Sequence, residues 1–161
     1  MDSRQKLKQC DVPEPVTFWR YISLTKIALV GKVAVYHVDI TNNDAPVRVF
    51  ERAPQLASCQ IMSYGVDSSE KWCYLVGLYS NDQKNINAHM QLFFTEKRQQ
   101  QLIEGYAGCF ADLPITENNL YKNSIFCFCE KKAAETTQKI HFMEIGNPAP
   151  NSQKFKRSVD I

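Results

Sequence analysis

Between Val16 and Ile40 the chain reads VTFWRYISLTKIALVGKVAVYHVDI, three short strand patterns with almost no turn residues between them. The same rhythm returns from Cys59 and again from Cys109. Self-similarity at a spacing of about 40 to 50 residues points to a stacked-sheet array such as a β-propeller, because solenoid repeats are shorter, at ~20 to 34 residues. An immunoglobulin-like sandwich fits the number of strands but not a threefold recurrence.

Taken unit by unit, the first comprises Val16–Ser23, Lys26–Gly31, Ala34–Ile40 and Val47–Glu51, with the turn-forming TNNDAP between its last two strands. The second comprises Cys59–Val66, Trp72–Ser80, His89–Thr95 and a polar strand within Lys97–Ile103, with NDQKNIN (Asn81–Asn87) as a surface loop. The third comprises Cys109–Ile115, Ser124–Glu130, Lys139–Ile145 and Phe155–Ile161. The fourth strand of each unit is the most polar, as the rim of a propeller blade requires, and IFCFC (Ile125–Cys129) is apolar on both faces, as a strand packed on two sides requires. The expected fold is therefore all-β, a partial propeller of about three four-stranded antiparallel blades. Only Thr95–Ile103 offers a helical alternative, and it lacks an apolar stripe long enough to dock.

Composition narrows the function classes. A net charge of +2 and the absence of a basic stripe with interleaved aromatics argue against nucleic acid. Runs such as WCYLVGLY fall far short of the ~20 residues that span a bilayer, and the N-terminal MDSRQKLKQCDVPEP has no apolar segment of a secretory signal. These features suggest a cytoplasmic chain without direct membrane insertion. In that setting the six cysteines are expected to be reduced, mostly buried thiols. His37, His89 and His141 each fall in or beside the third strand of a unit, where their side chains diverge and cannot share a zinc ion. There is no nucleophile elbow, no HExxH and no glycine-rich phosphate loop, so neither catalysis nor a cofactor is expected.

The wording of the segments carries more than their pattern. VTFW, ISL, ALV and AVYHV are followed in order by PVRVFER, LASCQIMSY, EKWCYLVGLYS, MQLFF, IEGYAGCFADL, IFCFC and KIHFMEIGNPAP. This collinear set, from about Lys6 to the last residue, closely resembles the terminal β-propeller of the clathrin heavy chain. The resemblance implies a partial seven-bladed propeller: residues 1–14 as the end of the second blade, then residues 15–57, 58–103 and 104–161 as the third, fourth and fifth. The remaining blades, the helical leg and the trimerisation hub correspond to nothing in this chain. Three blades do not close a ring, so apolar faces are expected to be exposed and the isolated chain to be marginally stable or aggregation-prone.

The resemblance also implies binding of short peptide motifs borne by adaptor and accessory proteins in coated pits and vesicles. Arg4 and Lys6 match basic residues of a groove whose other wall lies upstream. Gln60 and Met62 match residues of a site for a tryptophan-containing motif, with Met62 in place of a branched residue. Trp72, Lys97 and Gln101 match a groove between the fourth and fifth blades that takes a leucine-rich motif, with Lys97 in place of arginine. Each has a plainer reading: solvated charge for Arg4 and Lys6, an ordinary inner strand for Gln60 and Met62, core packing for Trp72. Other expected partners are the rest of the heavy-chain propeller and leg, with light chain reached only through regions outside this chain. Rival readings are a truncated, non-assembling product that competes for adaptors or is inert, an unrelated scaffolding propeller, and a Cys–His enzyme.

Overall fold

The computed structural model describes residues 9–42, 44–80, 85–114, 122–130, 137–146 and 154–161. They form twelve strands: β1 (Val16–Tyr21), β2 (Lys26–Gly31), β3 (Ala34–Asp39), β4 (Val47–Glu51), β5 (Gln60–Val66), β6 (Trp72–Ser80), β7 (Ile86–Phe94), β8 (Gln99–Ile103), β9 (Ala107–Pro114), β10 (Lys122–Glu130), β11 (Lys139–Ile145) and β12 (Lys156–Asp160). A single 3₁₀ turn, Pro54–Leu56, is the only helical element among the described residues. Three four-stranded sheets follow chain order, β1 to β4, β5 to β8 and β9 to β12, each an antiparallel meander. This is the all-β architecture of a partial β-propeller.

Strand borders differ from the sequence reading where polar residues hide a ladder. β7 starts at Ile86, inside the expected loop, because Ile86 and Asn87 pair with Ser80 and Tyr79 and lengthen the hairpin. Thr95–Arg98 is a turn, with Arg98 at φ 50°, and β8 follows it, so nothing here is helical.

The chain divides into two compact units, Met1–Ala57 and Ser58–Ile161. In the first, β2 and β3 bury Ala28, Val30, Val35 and Tyr36. The carboxylate of Glu14 reaches back over the β2–β3 turn, accepting the backbone N–H of Val33 (2.6 Å) and Ala34 (2.9 Å) and the hydroxyl of Tyr36 (3.1 Å). A Cβ on Gly31 would run into that carboxyl, so the glycine is what permits the approach. Burial pushes the Glu14 carboxyl up, but the hydrogen bonds from Val33, Tyr36, Ala34 and Lys32 outweigh it and hold the group below its ordinary value. A depressed carboxyl stabilises the fold above its unfolded pKa and loses that contribution as pH falls through the folded one. Chemical denaturation should therefore show wild type more stable than Glu14→Gln at pH 7, with the gap closing below about pH 4. A gap independent of pH would show that charge on Glu14 is irrelevant.

β1 is as exposed as the outer strands, with Trp19 60% and Tyr21 53% accessible and edge-to-face at 6.1 Å. The expected polarity gradient thus holds for the fourth strands but does not make β1 a covered inner strand. It is an edge strand paired only with β2, and nothing among the described residues covers Trp19.

In the second unit the facing surfaces of the second and third sheets make the core. Tyr74, Val76, Met90 and Leu92 pack against Phe126, Phe128 and Ile145. Phe126 is fully buried, its ring 5.0 Å from Phe110, 5.5 Å from Phe128 and 5.8 Å from Tyr74. Gly65 lies directly opposite Tyr74 in the ladder, and any side chain there would occupy the space of the tyrosine ring. The two-sided burial expected of IFCFC is met at Ile125, Phe126 and Phe128, whereas Cys127 and Cys129, which share the face of Ile125 turned away from the second sheet, are half-buried.

All six thiols are free. Cys59 and Cys73 are buried as expected, but Cys109 is exposed, because it shares that outward face with Cys127. Burial pushes the Cys73 thiol up to about 12, against the opposing pull of its hydrogen bond with Tyr64. Under native conditions iodoacetamide should label Cys109 well before Cys59 or Cys73, read by peptide mass mapping; early labelling of Cys73 would contradict the packing of β6.

Candidate functional site

The β6–β7–β8 ladder aligns side chains in rows across the second sheet. One row is Trp72, Phe94 and Gln99; the next is Tyr74, Leu92 and Gln101. Since alternate residues share a face, both rows point toward the third sheet. Trp72 stacks flat on Phe94, with ring centroids 4.5 Å apart and planes 19° off parallel, and it packs against the core cluster at its inner edge. Trp72 is thus partly packed into the core and partly accessible beside it.

Beside the stacked pair, Trp72, Leu92 and Phe94 floor a concavity of about 370 Å³ whose wall is β8, from Gln99 to Gln101. Gln100 turns to the opposite face, where it accepts a 2.7 Å hydrogen bond from the buried Gln91 amide, and this fixes β8 against β7. Gln101 and Gln99 stand exposed on the groove side at the rim. Lys97 is exposed in the turn that leads into β8, next to Glu96, which pairs with Lys71 at 2.6 Å. The arrangement is an apolar, aromatic floor edged by amides and a cation, suited to an apolar side chain on an extended segment.

Behind Trp72 a carboxylate clasp ties the loop before β6 to the third sheet. Asp67, 5% exposed, accepts the Trp72 backbone N–H at 2.7 Å, and also the Ser69 hydroxyl and backbone N–H. Ser124 lies 3.5 Å from Asp67 and 3.3 Å from Asp112, and Ser68 donates to Asp112 at 2.8 Å. These residues set where the indole sits relative to the third sheet. The sequence reading missed them because VDSSEKW looks like an ordinary turn; the signal was Asp followed by two serines immediately before an aromatic strand.

Gln60 and Met62 are not part of this concavity. They lie on β5, the far edge of the same sheet, three strand spacings or roughly 14 Å from β8. Both are exposed, Met62 at 48%, and Met62 is the extra residue of a β-bulge between Ile61 and Ser63. Arg4 and Lys6 lie outside the described residues. His89 stacks on Tyr79, and His141 is held by Glu130 and Ser158; no cluster of three or more metal-ligating side chains occurs among the described residues. No helix among them is long and apolar enough to cross a membrane.

No family model matches the chain. Individual proteins do. The chain is 34% identical to clathrin heavy chain 2 of Homo sapiens over 162 aligned residues, 36% identical to probable clathrin heavy chain 1 of Caenorhabditis elegans and 35% identical to the clathrin heavy chain of Drosophila melanogaster. Each alignment covers 100% of this chain but only 9–10% of the relative, so the chain spans about a tenth of the length of these relatives.

Proposed function

Since the chain belongs along its whole length to the clathrin heavy-chain family, we propose that it forms part of the terminal propeller of such a protein and binds short linear motifs of adaptor and accessory proteins there. In this reading residues 1–14 end one blade, residues 15–57, 58–103 and 104–161 are three more, and the chain works at the cytoplasmic face of coated pits and vesicles in vesicle-mediated transport. The role is binding, with weak grooves multiplied across a coat to give avidity.

One observation carries the reading: the concavity floored by Trp72, Leu92 and Phe94 and walled by β8, an apolar site with both flanking sheets present in the same compact unit. A leucine-rich extended peptide would place its apolar side chain on the indole and phenyl faces, hydrogen-bond to the Gln101 amide, and meet Lys97 with an acidic neighbour. Gln60 and Met62, on the far edge of the same sheet, are the second candidate surface, for a tryptophan-containing motif, and Arg4 and Lys6 are a third candidate pair.

Affinity for a synthetic leucine-rich motif peptide, measured by fluorescence anisotropy, tests this. Gln101→Ala and Lys97→Ala should each weaken binding about two- to tenfold, the worth of a hydrogen bond or a screened charge. Unchanged affinity in both variants would contradict the assignment.

A further inference from the structure

The groove does not stop at Gln101. A second concavity, of about 300 Å³, shares that residue with the first and continues along β8 toward Glu104. Its apolar surface is Leu102, Ile103, Phe128 and Met143, and its charged groups are Glu104, Glu130, Lys156 and the imidazole of His141. His141 is locked in place: one ring nitrogen lies 2.9 Å from the Glu130 carboxylate, the other 2.8 Å from the Ser158 hydroxyl, and the ring stacks on Phe128 at 4.7 Å. Two carboxylates, Glu104 and Glu130, thus line this end together with Lys156. The other end of the groove is the opposite: the turn before β8 carries Lys97 and Arg98 beyond the internally paired Lys71 and Glu96.

We propose that this second concavity takes a cationic side chain, arginine or lysine, of the same peptide whose apolar residue fills the first. This rests on the peptide-binding reading of the groove and adds a charge requirement to it. The fit is chemical. A long aliphatic stem covers Ile103, Phe128 and Met143 while its charged head reaches the carboxylates at the edge, the usual division of labour in such side chains. Glu104 is exposed and therefore free to approach the ligand, while Glu130 is held by His141 and supplies field from a fixed position. From the Trp72–Phe94–Gln99 row to Glu104 is five residues of strand, about 16 Å at ~3.3 Å per residue, so the cation belongs four to five residues from the apolar anchor in an extended ligand.

The test uses the 161-residue chain and fluorescein-labelled leucine-rich peptides that carry Arg, Gln or Glu five positions from the anchor, on either side of it. The Arg peptide of one orientation should bind about two- to fivefold more tightly than its Gln counterpart, as a partly screened ion pair allows, and the Glu peptide more weakly still. Glu104→Gln should remove the Arg advantage while leaving the Gln peptide unaffected, and Lys156→Gln should enlarge it. Equal binding of all three peptides, or preference for Glu, overturns the proposal while leaving the apolar groove intact. A chain that binds none of them overturns the groove reading and this one with it.

Discussion

Phe126→Ala is expected to cost about 3–5 kcal/mol, the usual range for removing a fully buried aromatic ring. Phe126 is 0% exposed and touches Phe110, Phe128 and Tyr74, two of them on its own sheet and one on the facing sheet. Gly108 lies close beneath it: a Cβ there would approach the Phe126 ring at 3.2 Å, so the backbone is already shaped to the ring and has little room to collapse into a cavity. The ring is one of several buried side chains that join the second and third sheets, so the groove should loosen along with the fold. Phe126→Leu, which keeps most of the volume, should lose much less. Urea denaturation of the three proteins measures both. A loss under 1 kcal/mol for alanine would mean that the two sheets do not meet across this residue.

The second large effect is expected at Asp67. Alanine there leaves the Trp72 N–H without its buried acceptor, releases the exposed Ser69 hydroxyl, and removes the carboxylate that reaches Ser124 across to the third sheet. Bonds to a charged acceptor are worth more than neutral ones, and unmatched buried donors keep their desolvation cost, so a loss of about 2–4 kcal/mol is expected. Asp67→Asn retains one acceptor oxygen for Trp72 and should lose roughly half as much. The distinctive consequence lies in the groove. With its N–H released, Trp72 should lose its fixed stacking on Phe94, visible as a shift and quenching change in tryptophan emission when Trp19 is replaced by phenylalanine. Native emission in Asp67→Ala would show that the clasp does not position the indole.

Much of this architecture could be read directly from the chain. Four strands, Lys26–Gly31, Val47–Glu51, Trp72–Ser80 and Lys139–Ile145, have the borders that β-branched and aromatic content dictates. Periodicity went astray where pairing, not composition, decides: Ile86 and Asn87 are drawn into β7 by a long hairpin partner, whereas the polar outer strand expected within Lys97–Ile103 is found as β8. The burial of the cysteines could be read only in part: Cys59 and Cys73 are buried as their apolar strands suggest, whereas Cys109 is exposed. Period-two patterning gives two faces to IFCFC but does not say how far each is covered: the second sheet covers Phe126 and Phe128, and on the other face Ile125 is buried while Cys127 is half-buried.

For the site, family resemblance supplied Trp72, Lys97 and Gln101, and the ladder places Trp72 and Gln101 around one concavity with Lys97 in the adjoining turn. Leu92, Phe94 and Gln99 were missed because nothing in their local sequence distinguishes a groove floor from core. They become visible only as cross-strand neighbours. The second concavity was missed for a related reason: Glu130, His141 and Ser158 are far apart in sequence and meet across three adjacent strands.

The account turns on where an apolar peptide settles. Titrating ¹⁵N-labelled chain with a leucine-rich motif peptide and following amide and indole resonances would locate it residue by residue. The account predicts the largest shifts at the Trp72 indole, Leu92, Phe94 and Gln99 to Gln101, fading toward β5. Shifts centred on Gln60 and Met62 with the Trp72 indole unmoved, or none at saturating peptide, would contradict it.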